Sequence, residues 1–118
     1  LVRDKHRIGP VTHDIPHDLD FGLAKLAAEK AADAYRERFA EYNCKTKWVS
    51  DKRVEIEFTV MGKRLEGAMT VLSNKLELEL DVPFVLRPFR GKAIQIIDKE
   101  ARTWLDKAKR GELGSAEG

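Results

Sequence analysis

Apolar residues change their period twice along this chain. Between positions 18 and 42 they recur at steps of three and four. Ala24, Ala27, Ala28, Ala31, Tyr35, Phe39 and Tyr42 fall on one helical face, and Leu23 and Leu26 widen the stripe. Lys25, Glu29, Lys30, Asp33, Arg36, Glu37 and Arg38 fill the opposite face. The spacing predicts a long helix over 18–42, started by Asp18 or Asp20, whose short carboxylates accept the free amide protons of a first turn. Asn43 suits its end, where a left-handed residue often stops a helix. So many alanines on one face imply close approach to whatever covers it.

From Cys44 to Val82 the period becomes two, the mark of strands with one face buried. Val54, Ile56, Phe58 and Val60 alternate with polar residues, as do Leu65, Gly67, Met69 and Val71, and then Leu76, Leu78 and Leu80. A slip of one residue would invert every face, so register can be tested by pairing. A loop at Ser50-Asp51-Lys52 pairs Trp48 with Val54, Thr46 with Ile56 and Cys44 with Phe58, and sets Lys47 and Lys45 against Glu55 and Glu57. A turn at Gly62-Lys63 pairs Val60 with Leu65 and Phe58 with Gly67. A turn at Ser73-Asn74 pairs Val71 with Leu76 and Gly67 with Leu80. The three hairpins agree on a four-stranded antiparallel meander, in which Gly67, flanked by Phe58 and Leu80, leaves room on the inner face.

Prolines and glycines in 83–91 argue against a further central strand. Helical spacing returns at Lys92, with Ile94, Ile97, Ala101, Trp104, Leu105 and Ala108 on one face and Gly111 as the stop. Val11 to His17 reads as an added N-terminal edge strand limited by Pro10 and Pro16. The predicted fold is α+β: the meander, with the long N-terminal helix and the C-terminal helix packed on one face. The inner residues Val54, Ile56, Phe58, Leu65, Met69, Val71, Leu76, Leu78 and Leu80 are expected against Ala27, Ala31, Phe39, Ile97 and Trp104.

Length and composition narrow this picture. With 118 residues, 42% hydrophobic and 36% charged, the chain suits a single globular domain. We place it at 11–110, with 1–10 as an extension and 111–118 as a small, polar, disordered tail. The lone Cys44 cannot form an internal disulfide, which suggests a reducing cytoplasm. Lys and Arg number 22 against 20 for Asp and Glu, and a net charge of +2 argues against a nucleic-acid partner. No apolar run is long enough for a transmembrane segment.

Candidate chemistry is sparse. His13, Asp14, His17 and Asp18 have the residue types of a metal site, but Pro16 precludes the helix that His-x-x-x-His spacing needs, so a capped loop leading into the helix is favoured and no metal ligand is assigned. Glu55, Glu57, Glu66, Glu77, Glu79 and Asp81 crowd the outer sheet face; acid–base work needs a concave, partly desolvated site, and a solvated face is expected instead. Cys44, Trp48 and Trp104 are expected in the core. No catalytic or cofactor-binding residue is assigned. The best candidate for contact with a partner is the apolar and basic stretch Phe84, Val85, Leu86, Arg87, Phe89, Arg90 and Lys92, which precedes or opens the second helix, where anions are favoured.

One resemblance emerges from the whole pattern. His17-x-Leu19 precedes an amphipathic helix, Trp48 and Asp51 flank a hairpin, Gly67 lies early in the third strand, and Leu76-x-Leu78-x-Leu80 is followed by Pro88-Phe89-Arg90-Gly91-Lys92 and then Ile94, Ile97 and Leu105. This resembles the small bacterial family of polyhydroxyalkanoic acid system proteins, named for genes found near those of polyhydroxyalkanoate granule synthesis. The resemblance implies a small cytoplasmic protein and supplies no catalytic residues. Three functions follow as expectations: a non-enzymatic accessory protein that contacts a polymer granule or granule proteins; a binder of hydrophobic acyl or lipid-like molecules in a cavity beneath the first helix, lined by Gly67, Cys44 and Thr46; and a homodimer or larger assembly formed through an edge strand or the Phe84 region.

Overall fold

The computed structural model describes residues 11–113. The expected extension 1–10 and the tail beyond 113 lie outside the described residues. The period-two segments form strands β1 (Val11–Pro16), β2 (Lys45–Trp48), β3 (Arg53–Val60), β4 (Lys63–Val71) and β5 (Lys75–Asp81) in one antiparallel sheet of order β1-β5-β4-β3-β2. The expected meander is therefore extended to five strands. β1 joins because pairing Val11 with Leu80 and Ile15 with Leu76 puts Ile15 wholly inside. Its terminal Pro16 sits at the end of an edge strand, where the missing N–H breaks little of the ladder.

Helices α1 (Phe21–Arg38) and α2 (Arg87–Lys109) pack side by side on one face, α1 toward β2 and β4 and α2 toward β1. All nine predicted inner strand residues are buried, as are Ala27, Ala31, Phe39 and Ile97 opposite them. The alanine face allows the close packing expected: Ala24, Ala27, Ala28, Ala31 and Ala32 are inaccessible, and the Tyr35 hydroxyl donates to the Ile97 carbonyl across the helix pair at 2.8 Å. Trp104 departs from expectation. It is only partly buried, donates from Nε1 to Glu100 at 2.9 Å, and carries the Lys107 ammonium 4.7 Å from its ring centroid. Trp48 is likewise at the rim, under Lys25. Both indoles use the rim to bury ring surface while keeping a cation in water.

The first helix is shorter than the periodicity predicts. Asp20 caps it, accepting from the Leu23 amide at 2.9 Å, and Phe39 leaves helical geometry. Ala40–Tyr42 then forms a single 3-10 turn, closed by Asn43 at φ 54° as expected. This tighter turn leaves the Phe39 ring edge-on to Phe58, with centroids 4.8 Å apart. The second helix is longer than predicted and begins at Arg87, because Pro88 occupies its first turn, where a proline loses no hydrogen bond and its fixed φ suits the helix. Gly111, at φ 74°, follows the end of α2 where a stop was expected.

Two of the three predicted registers are present, Trp48 opposite Val54 and Val71 opposite Leu76, although Cys44 lies just outside the β2–β3 ladder. The third slides by two residues. The turn is Met61-Gly62, so Val60 faces Lys63, Phe58 faces Leu65 and Ile56 faces Gly67. A slip of two preserves every face, so the hydrophobic pattern cannot detect it. Turn chemistry decides instead. Met61 and Gly62 both have positive φ, 51° and 76°, the backbone of a type I′ turn that matches the strand twist. Met61 is 80% exposed and gains no packing for this conformation. Met61→Asn is therefore expected to stabilise the fold by about 1 kcal/mol, since asparagine tolerates left-handed geometry; a higher urea midpoint at constant slope is the measurement.

The room predicted beside Gly67 does not exist. A Cβ built there would stand 2.6 Å from the Glu79 carbonyl oxygen and 3.2 Å from Leu80 Cδ1. This glycine permits close approach of β5 and leaves no room for a side chain on the inner face.

Candidate functional site

The β3–β4 turn, the end of β5 and the start of α2 lie at one end of the sheet. After β5, Pro83 is extended and Phe84–Leu86 makes one 3-10 turn, in which the Leu86 amide donates to the Pro83 carbonyl at 2.9 Å. Leu86 drops into the core. That anchor leaves Phe84 and Val85 facing outward, 67% and 64% exposed. The Arg87 guanidinium lies 5.1 Å from the Phe84 ring centroid. The predicted contact stretch thus divides. Phe84, Val85, Arg87 and Lys92 are at the surface, Arg90 is half-buried, Leu86 is core, and Phe89 is partly buried.

Phe89 helps to wall a small apolar pocket of about 90 Å³ with Phe39, Phe58, Leu65 and Ile96, and Lys92 also lines it. Small-molecule sites usually need about 300 Å³ or more. The space beneath α1, proposed from sequence to be lined by Gly67, Cys44 and Thr46, is occupied by the alanine face and by β5 pressed against Gly67. Sequence reading missed Met61, which stands at the same end of the sheet as Phe84. The signal was the Met61-Gly62 pair itself, had a type I′ turn been weighed against the Gly62-Lys63 alternative.

The His-Asp cluster is dispersed. His13 projects from the inner face of β1 and pairs through Nε2 with Asp98 of α2. His17 accepts from the Leu19 amide at Nδ1, 3.0 Å, which leaves Nε2 to donate to the Leu72 carbonyl at 2.9 Å. Asp14 meets Lys75 and Asp18 meets Lys109. Among the described residues no three His, Cys, Asp or Glu side chains are arranged to hold a metal.

Asp98 also receives Arg102. Burial pushes its carboxyl pKa up, but hydrogen bonds from Arg102 and His13 outweigh that and hold it below the ordinary carboxylate value. A group depressed on folding contributes stability that is present above its unfolded value near pH 4 and lost as pH falls through the folded value. Asp98→Asn is therefore expected to lower the urea midpoint at pH 7 and to have a much smaller effect at pH 2.5, read by parallel denaturation series.

None of the acids of the outer sheet face is buried, in line with the solvated face expected, but the face is not featureless. It contains a groove of about 630 Å³ whose floor includes Gly67 and Ala68. Glu57, Glu66 and Asp81 stand in register across three strands, an arrangement that repels unless cations intervene. Arg64 approaches Glu57 and Glu66 at 3.9 and 3.3 Å, and Arg53 forks onto both oxygens of Glu79 at 2.9 and 3.4 Å. The arginines make this a salt-bridged face. Cys44 is buried, and burial pushes its thiol up to about 11, so the nucleophilic thiolate is scarce near neutral pH.

The family model of polyhydroxyalkanoic acid system proteins matches residues 12–105, from β1 to the last turns of α2. The chain belongs to this family. No curated protein and no solved structure matches it significantly. In this polyhydroxyalkanoic acid system protein the matched span includes the whole surface from Met61 to Lys92, and no described helix is long and apolar enough to cross a membrane.

Proposed function

We propose that this polyhydroxyalkanoic acid system protein is a non-enzymatic accessory protein of the cytoplasm that attaches to polyhydroxyalkanoate granules through the end of the sheet bearing Phe84 and Val85. One observation carries the reading: two large apolar side chains are held in water by a turn whose third residue, Leu86, is locked in the core. Exposed apolar groups presented on a fixed backbone are characteristic of contact surfaces. The family name supplies the polymer, and the placement of the other candidate groups supports attachment over catalysis. Both ring nitrogens of His17 are engaged, the Cys44 thiol is buried, and the outer acids Glu57, Glu66 and Glu79 are held by arginines.

Co-sedimentation with purified granules tests this. Burying a phenylalanine and a valine side chain contributes about 3 kcal/mol or more, so Phe84→Ser with Val85→Ser is expected to weaken granule binding roughly a hundredfold. Circular dichroism and the melting temperature should not change, because neither residue belongs to the core. Unaltered co-sedimentation of the double variant would overturn the reading.

A further inference from the structure

We propose that the surface binding Phe84 and Val85 is a layer of anionic amphiphiles, into which Met61, Phe84 and Val85 insert while Lys63, Arg87, Arg90 and Lys92 meet the headgroups; the inference rests on the granule reading and names what is touched there. Charge supplies the first argument. Arg36, Arg38, Arg53, Arg64, Arg102 and Arg110 each meet a carboxylate, whereas Arg87 and Arg90 meet none among the described residues. Lys63 and Lys92 also lack a carboxylate partner there. From Val82 to Ile97 the chain has three cations and no acid. Every other described arginine has a carboxylate, and Arg87 and Arg90 are left without one at this end.

The second argument is the backbone at the turn. A non-glycine residue with φ 51° is strained, and strain kept at an exposed position points to use of the side chain. Methionine there is flexible and apolar, and it projects from a hairpin tip.

Shape distinguishes a fluid layer from a protein partner. The apolar groups sit on two projections, the hairpin tip and the 3-10 turn, with cations beside them. Three such side chains cannot approach the roughly 800 Å² that each partner buries in a stable protein interface. A deformable layer can close around separate projections, and basic residues near its surface add attraction to anionic headgroups. The start of α2 adds to this preference, since its first turn has no acidic residue and its N-cap Leu86 offers no side-chain cap.

Sedimentation with vesicles of phosphatidylcholine, alone or mixed with phosphatidylglycerol, tests the proposal on the full chain. Binding is expected to the mixed vesicles and to weaken with added salt. Arg87→Gln with Arg90→Gln should reduce it about thirtyfold. Met61→Asn should also bind less well while melting higher, a combination that loss of folding cannot produce. Equal binding to both vesicle types, or indifference to the arginine changes, overturns the proposal. If granules bind the protein through Phe84 and Val85 but anionic vesicles do not, the amphiphile layer is wrong and granule attachment stands. Granule binding abolished by protease treatment of the granules likewise overturns the layer in favour of a protein partner. Binding to anionic vesicles without granule binding supports the layer and removes the granule reading.

Discussion

Gly67→Ala is expected to destabilise the fold by about 3 kcal/mol, a methyl group's worth of overpacking at a place that cannot give. The added Cβ would lie 2.6 Å from the Glu79 carbonyl oxygen, well inside van der Waals contact. That oxygen is backbone in β5, which pairs with β1 on its other side, so moving it disturbs two ladders. Alanine also makes the unfolded chain stiffer, which on its own would stabilise by about 0.4–1 kcal/mol. The clash is larger, and it decides the sign. Gly91 is the control: a Cβ there meets nothing within 4 Å, so alanine in this helical position should be neutral or stabilising. A thermal midpoint lowered by roughly 10–20 °C for Gly67→Ala, against no loss for Gly91→Ala, is the expected pair of results. Equal stability of the two variants would show that β5 yields to the methyl group.

The contrast also marks what the sequence could reveal. Period-two alternation identified β2 to β5 and every inner residue of the strands, because burial on one face imposes that period directly. It could not distinguish registers two residues apart, which is why the β3–β4 turn lay at Gly62-Lys63 in the reading and at Met61-Gly62 in the fold. Gly67 has the same ambiguity: a missing side chain in a strand means either spare room or a close neighbour, and only the position of the Glu79 carbonyl separates the two. Boundaries of α1 and α2 moved for local reasons, Phe39 turning toward Phe58 and Pro88 fitting a first turn.

The contact surface was half legible. Phe84 and Val85 stood out as apolar residues in a proline-bounded stretch with basic neighbours. That Leu86 alone of these three turns inward is a property of the 3-10 turn, and no one-dimensional period encodes it. That Arg87 and Arg90 lack a carboxylate stands out only once the other described arginines are seen with theirs, some far along the chain, such as Arg53 with Glu79 and Arg38 with Glu100. Composition gave only a net charge of +2; the geometry shows that, of the described arginines, Arg87 and Arg90 at this end are the two without a carboxylate.

Tyr35 sets the largest expected loss and shows how a polar group can be separated from its ring. Tyr35→Ala should cost about 4 kcal/mol, since it empties a fully buried ring site between α1 and α2. Tyr35→Phe keeps the ring and removes only the hydroxyl that donates to the Ile97 carbonyl at 2.8 Å. That carbonyl keeps its own helical partner, so no buried group is stranded and the loss should be about 1 kcal/mol near neutral pH. Burial first, then the charges of Glu100 and Asp98, hold the Tyr35 hydroxyl well above its usual pKa. The folded state therefore keeps this proton when an unfolded chain has released it. Stability from the group is complete below the unfolded value near 10 and declines above it, by about 1 kcal/mol at pH 11. Phenylalanine has no such dependence. Urea titrations of the two proteins at pH 7 and pH 11 should accordingly show the wild type ahead at pH 7 and the advantage gone or reversed at pH 11. A constant difference between them would mean that Tyr35 ionises as freely in the fold as outside it, which a ring sealed between two helices does not permit.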